Sequence, residues 1–300
     1  MTSEAMAGFV QMLFAGRQAV AGLPVPPVEV RRAGMEEAMA ALPPLPGVTT
    51  RPVDAGGVPA EEVELESGGA AGTVLYLHGG GYYQGSVTTH RRLLTAICTA
   101  ATTDGLNVGY RLAPEAPFPA AVDDALAAYR WLLASGRDPR RVVVAGDSAG
   151  GGLALALLLA IREAGDPLPA GAYLLSPWTD LAMTGASLEG RRAVDPMIDP
   201  DEMGTVVAWY VPDGDVRNPL VSPLFADLAG LPPLLVQVGA AEVLYDDSAR
   251  LVASARAAGV EAELQEWEGA FHVFQAIVGL APEADDAVAR AGTWIAGRLR

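Results

Sequence analysis

The stretch that most constrains this chain is residues 141–165, RVVVAGDSAGGGLALALLLAIREAG. Val142 to Ala145 is a short continuous apolar run, as a buried strand requires. Residues 149–161 are apolar and rich in small side chains, as a buried helix requires. Between them stands G-x-S-x-G, with Gly146 and Gly150 on either side of Ser148. A strand that reverses sharply into a helix leaves no space for Cβ atoms beside the serine, so both glycines answer a steric need. Such a turn projects the hydroxyl outward and sets it near the positive end of the helix. With 34 glycines in the chain, the five letters alone arise by chance about 0.1 times. The strand before them and the helix after them carry the weight.

Around this unit, strands alternate with helices. Glu61 to Glu66 alternates as an edge strand does, and Thr73 to Leu77 is continuously apolar. Further strands are expected at Leu106–Tyr110, Ala172–Leu175, Pro233–Val238 and Glu263–Trp267. Helices are expected at His90–Thr102, Phe118–Leu133 (with Asp123 and Asp124 toward solvent), Asp247–Ala258 and Glu283–Arg298. This order predicts an α/β fold with a mostly parallel sheet covered on both faces. Two helices precede it. Residues 6–17 place Met6, Phe9, Val10 and Leu13 at helical spacing, and Val28–Leu42 places Met35, Met39 and Leu42 on one stripe. They read as an accessory layer covering part of the chain's own fold. Residues 180–220 interrupt the alternation with Met183, Met197, Met203, Trp209 and a helix near 201–210. The expected division is therefore 1–45, 46–179, 180–220 and 221–300.

Charge narrows the function classes. Thirty-six acidic residues against 20 basic ones give a net charge of -16, which argues against a nucleic-acid surface or an anionic-membrane patch. Cys98 is alone in an apolar helical run and reads as a small buried hydrophobe. His78, His90 and His272 are too scattered to predict a metal site. The start carries Glu4 and no basic segment, unlike a secretory signal, and the apolar run at 149–161 is too short to cross a bilayer. The expectation is a cytoplasmic protein without stable membrane insertion.

In a parallel sheet, reactive groups gather outside the carboxyl ends of the strands. Four candidates fall there: Ser148, the run Gly79-Gly80-Gly81, Glu242 and His272. Acyl transfer needs a nucleophile, a base, a group to orient the base, and donors for the oxyanion. Ser148 fits the nucleophile; its alternative role, a helix N-cap, is disfavoured by the flanking glycines. His272 fits the base, with a core histidine between Phe271 and Phe274 as its alternative. His78 is a rival base, but it directly precedes the glycines and is better placed to brace their loop. Those glycines allow backbone N–H groups to converge on negative charge, and no Lys-Ser/Thr pair follows them as a phosphate cradle would need. For the orienting acid, VGAAEVLYDDS offers Glu242, Asp246 and Asp247. Glu242 stands nearest the strand end and fits the chain order nucleophile, acid, histidine, whereas the two aspartates suit a helix start.

Several segments occur in one order: HGGGY at 78–82, YRLAPE at 110–115, FPAAVDDA at 118–125, GDSAGG at 146–151, SPWTDL at 176–181, GAAEVLYDDS at 239–248 and FHVF at 271–274. In these the chain resembles the bacterial hormone-sensitive-lipase-like esterases of the α/β-hydrolase superfamily. The resemblance implies a central sheet of about eight strands with a helical cap formed by residues 1–45 and 180–220, laying Phe9, Leu13, Met197 and Trp209 over the site. It implies a triad of Ser148, Glu242 and His272, an oxyanion hole of Gly80, Gly81 and Ala149, and no cofactor or metal. Many relatives carry aspartate where Glu242 stands, so Asp246 is the reserve acid; H-V-F replaces the more usual H-D-F or H-G-F. Arg111 and Glu115 are expected to brace the core. The implied substrate is a small uncharged carboxylic ester with a short- to medium-chain acyl group. A lactone or an N-acetyl amide is the alternative, and a homodimer is expected from the same resemblance.

Overall fold

The computed structural model describes residues 2–212 and 214–299. In chain order the elements are α1 (Glu4–Val20), α2 (Val28–Ala40), β1 (Val48–Asp54), β2 (Pro59–Leu65), β3 (Thr73–Leu77), α3 (Val87–Ala101), β4 (Asp104–Val108), α4 (Ala120–Ala134), β5 (Val142–Asp147) and α5 (Ala149–Ala164). They continue with β6 (Gly171–Leu175), α6 (Ser187–Gly190), α7 (Pro200–Tyr210), β7 (Leu234–Gly239), α8 (Tyr245–Ala257), β8 (Ala262–Trp267) and α9 (Pro282–Arg298).

The strands form one sheet in the order β1-β2-β4-β3-β5-β6-β7-β8. β2 runs antiparallel to β1 and β4, and the strands from β4 to β8 are mutually parallel. β3, β5, β6 and β7 are buried along their whole length, which is why they are continuously apolar and not alternating. Successive residues still serve opposite faces. Leu75, Leu77, Val142 and Val144 pack with α4, α5 and α8, while Val74, Tyr76, Val143 and Ala145 pack with α3 and α9. Cys98 is buried among the latter.

Three expectations need correction. β1 was not legible, and its presence moves β2 inward from the sheet edge. β1 is mostly exposed and contains Pro52, both tolerated because it is the outer strand. Asp124 is buried, not solvated: the Arg111 guanidinium meets it through Nε at 2.9 Å and Nη2 at 2.6 Å. Glu115 braces no core; it pairs with Arg32 of α2 at 2.8 Å. Met197 is 44% exposed.

The helices outside the sheet converge on its carboxyl ends. Met6 of α1 is fully buried beside Phe271 and Phe274, with Phe9 and Leu13 packed on the same cluster. Arg32 of α2 donates to the carbonyl oxygens of Tyr83 and Ala113 at 2.7 and 2.8 Å. From α7, Tyr210 stacks on Tyr82 with ring centroids 3.8 Å apart, and Trp209 meets Tyr83 edge-on at 5.3 Å. Arg17 reaches Asp199 at 3.2 Å and Arg31 reaches Glu202 at 3.0 Å, tying α1 and α2 to the segment containing α7. Among the described residues, no helix is long and apolar enough to cross a membrane.

Candidate active site

β5 runs straight into Ser148, whose backbone sits at φ 52°, ψ -122°. A residue with a side chain holds such a conformation only where its surroundings over-determine it, at a cost of roughly 1–3 kcal/mol. Here the end of β6 does so: Ser148 N–H donates to the Leu175 carbonyl at 2.8 Å, and Trp178 N–H donates to the Ser148 carbonyl at 2.8 Å. A Cβ on Gly146 would overlap the Gly150 carbonyl, and one on Gly150 would overlap the Leu77 carbonyl. The Ser148 hydroxyl makes no cap bond to α5, so the N-cap alternative fails.

The glycine loop follows β3. Gly80 and Gly81 have φ of 107° and 61°, the left-handed region that glycine enters without strain. The Gly80 carbonyl accepts from Tyr83 and Gln84 N–H at 3.2 and 3.0 Å, closing the turn. The N–H groups of Gly80 and Gly81 have no acceptor among the described residues. Ala149 opens α5, so its N–H is one of the unsatisfied donors of a helix start. Beneath the loop, buried Asp147 accepts from Gly79 N–H at 2.9 Å and from the Tyr76 hydroxyl at 2.7 Å, with His90 Nε2 at 3.4 Å. Burial alone would raise its pKa, but the charge and hydrogen bond of His90, with the Tyr76 bond, outweigh that and lower it. His78 stacks on Tyr110 at 4.2 Å, and its Nδ1 lies 2.8 Å from the Gly79 carbonyl. Burial and neighbouring His90 push its pKa down to about 3, so it is a neutral brace and not a base.

The acid and the imidazole come from the two outermost parallel connections. Glu242 lies three residues beyond the end of β7, fully buried. Its Oε1 accepts from Gly239 N–H at 2.6 Å and from the Ser176 hydroxyl at 2.6 Å; its Oε2 lies 2.7 Å from His272 Nδ1. A carboxylate only accepts, so the proton sits on Nδ1 and leaves Nε2 as the basic nitrogen. Burial alone would lower the His272 pKa, but the charge and hydrogen bond of Glu242 outweigh it and hold the value above the ordinary 6.5. Asp246 is engaged elsewhere, accepting from Ser187 N–H at 2.9 Å. Asp247 accepts from Thr179 and Asp180 N–H at 2.7 and 2.8 Å, and burial pushes its pKa up to about 7. Neither aspartate bonds His272.

Three neighbours of the site escaped the sequence: Ser176, Asp147 and His90. Asp147 is the residue before the nucleophile, and Ser176 stands directly at the carboxyl end of β6. Strand-end position was the available signal for both. His90 lies inside α3, and nothing in its local sequence points to a carboxylate across the sheet.

A strained serine between strand and helix, free backbone N–H groups on the glycine loop, and an imidazole held by a carboxylate, all at the carboxyl ends of one sheet, fit a serine hydrolase of the α/β type. Comparison with known proteins agrees. The model of a family described as having the alpha/beta hydrolase fold matches residues 74–276. An acetyl-hydrolase from Streptomyces hygroscopicus is 48% identical over 223 residues, covering 74% of this chain and 75% of its own. An esterase from Acinetobacter venetianus is 37% identical over 83% of this chain and 82% of its own. Among solved structures, an esterase of the bacterial hormone-sensitive lipase family superposes with a TM-score of 0.95 at 41% identity, with both chains covered fully. EstE5, solved after soaking by p-nitrophenyl butyrate, superposes with a TM-score of 0.94 at 41% identity, covering 99% of each chain. The chain belongs to the bacterial hormone-sensitive-lipase-like esterases of the α/β-hydrolase superfamily, and it is a serine ester hydrolase.

Proposed function

We propose that Ser148, His272 and Glu242 act as nucleophile, base and orienting acid in the hydrolysis of uncharged carboxylic esters with short- to medium-chain acyl groups. The observation that carries this reading is the 2.7 Å contact between His272 Nδ1 and Glu242 Oε2, which leaves the other ring nitrogen free to take a proton. The Ser148 Oγ proton passes to His272 Nε2 as Oγ bonds to the carbonyl carbon. The carbonyl π electrons move onto oxygen, where the N–H groups of Gly80, Gly81 and Ala149 receive the charge. Collapse of the tetrahedral species breaks the bond to the alcohol oxygen, which leaves with the proton from Nε2. Water then gives a proton to Nε2, attacks the acyl-enzyme, and releases the acid and the serine hydroxyl.

Residues 1–45 and 180–220 form the cap in this reading, supported by the Arg17–Asp199 and Arg31–Glu202 pairs that join them. Trp209 of that cap packs edge-on against Tyr83 of the glycine loop, and an apolar cover of this kind suits a small uncharged substrate. A second reading is removal of an acetyl group from nitrogen by the same triad; the acetyl-hydrolase among the relatives is named for the acetyl group and not for the atom that bears it. Initial rates on p-nitrophenyl acetate, butyrate and decanoate, beside N-acetyl p-nitroaniline, separate the two. The proposal expects butyrate or acetate to lead, decanoate to trail, and Ser148→Ala to abolish turnover. Preference for the amide would favour the second reading, and retained turnover in Ser148→Ala would remove the nucleophile.

A further inference from the structure

The end of β6 touches Ser148, Glu242 and the residue that follows His272, and the Ser176 side chain joins the last two. Leu175 and Trp178 grip the backbone of Ser148 from both sides, through the two 2.8 Å bonds described above. Between them, Ser176 has φ 45° and is fully buried. Its own N–H is anchored to the Gln237 carbonyl of β7 at 2.7 Å. Its hydroxyl donates to Glu242 Oε1 at 2.6 Å and accepts from the N–H of Val273, the residue after His272, at 3.1 Å.

Proton counting makes this arrangement unambiguous. Glu242 has no proton to give and Val273 N–H has no lone pair to offer, so the single hydroxyl proton points to the carboxylate. One hydroxyl thus holds the acid from one loop and the imidazole-bearing backbone from the next. With Gly239 N–H on the same oxygen, Oε1 is satisfied and Oε2 is left facing His272. The backbone itself is costly at both ends of this tether, since Ser176 and Val273 each have positive φ without being glycine.

We infer that Ser176 is a positioning residue for the hydrolytic reaction, fixing Glu242 against His272 through its hydroxyl; this rests on the triad reading given above. The hydroxyl is fully buried and engaged by the Glu242 carboxylate and the Val273 N–H. Its loss leaves Glu242 with one donor on Oε1 and frees the carboxylate to turn away from the imidazole. The charge that keeps the His272 pKa raised then weakens, and burial pulls the value down.

The test compares Ser176→Ala and Ser176→Gly with wild type, and repeats Ser176→Ala in a Glu242→Ala background, with p-nitrophenyl butyrate. Glycine adopts φ 45° freely, so Ser176→Gly removes the hydroxyl without adding backbone strain and keeps the test open if the alanine variant folds poorly. Both single variants are expected to lower kcat about tenfold with KM little changed, and to move the acid limb of the kcat/KM profile to lower pH. In the Glu242→Ala background the same substitution is expected to cost about twofold or less, because its target is gone. Wild-type kcat in Ser176→Gly, or an equal tenfold loss with and without Glu242, would overturn the inference. Full activity of Glu242→Ala alone would instead overturn the triad reading beneath it.

Discussion

Glu242 and Ser176 are fully inaccessible, and each polar atom of the Glu242 carboxylate is matched to a donor within 2.7 Å. In the cover the corresponding charges are wet: the side chains of Glu202 and Glu115, which receive Arg31 and Arg32, are 48% and 59% exposed. α5 is buried for most of its length, whereas α2 contributes no fully buried residue. The sheet ends are therefore built for fixed geometry in low dielectric, and the ion pairs of α2 for weaker attachment. The proposed function assigns chemistry to the first region and substrate admission to the second. Mutations in the two should part company in kcat and KM.

The sheet side has the least tolerance. Gly150→Ala puts a methyl on the Leu77 and His78 carbonyls, backbone atoms that cannot swing aside. It is expected to destabilise by more than about 4 kcal/mol and to yield little soluble protein, as read from expression and thermal melts. A well-folded variant would show that this end of the sheet is softer than its packing.

Next in size is the acid. Glu242→Gln is expected to lower kcat about a hundredfold at constant melting temperature, and Asp246→Asn by less than about threefold. His272 must be neutral to act as base, and Glu242 raises its pKa, so activity is lost as pH falls through a value above the ordinary 6.5. Removing the Glu242 charge should carry that acid limb to lower pH. The opposite ranking of the two variants would move the acid to Asp246.

The cover gives the smallest effect. Arg31→Ala breaks one partly exposed pair, worth about 0–1 kcal/mol, and should shift the melting temperature by only a few degrees. It is expected to change KM for p-nitrophenyl esters about two- to fivefold with kcat nearly constant. A collapse of kcat would mean that α2 is part of the fixed site and not a loose cover.

The same contrast explains what the amino-acid sequence revealed. β3, β5 and β7 were legible because strands buried on both faces must be apolar throughout, and the elbow was legible because sterics demand its glycines. β1 was hidden because an exposed outer strand carries no apolar pattern to read, only Val48, Val53 and an interrupting Pro52. Ser148, Glu242 and His272 could be proposed because each follows a recognisable strand end. Ser176 also follows one, yet its role depends on two loops 66 and 97 residues away, a proximity that no local pattern encodes. The misplacement of Asp124 has a similar cause, since its partner Arg111 is fixed by a turn and not by helical spacing.

The central claim is that folding sets a basic imidazole, oriented by Glu242, to activate the hydroxyl at the elbow. Stoichiometric labelling by diethyl p-nitrophenyl phosphate tests it directly, reading the p-nitrophenol burst and then the modified peptide by mass spectrometry. One equivalent of burst with the diethylphosphoryl group on Ser148, and labelling at least about a hundredfold slower in His272→Ala, is the predicted result. Label on a different residue, or an undiminished rate without the imidazole, would contradict the account.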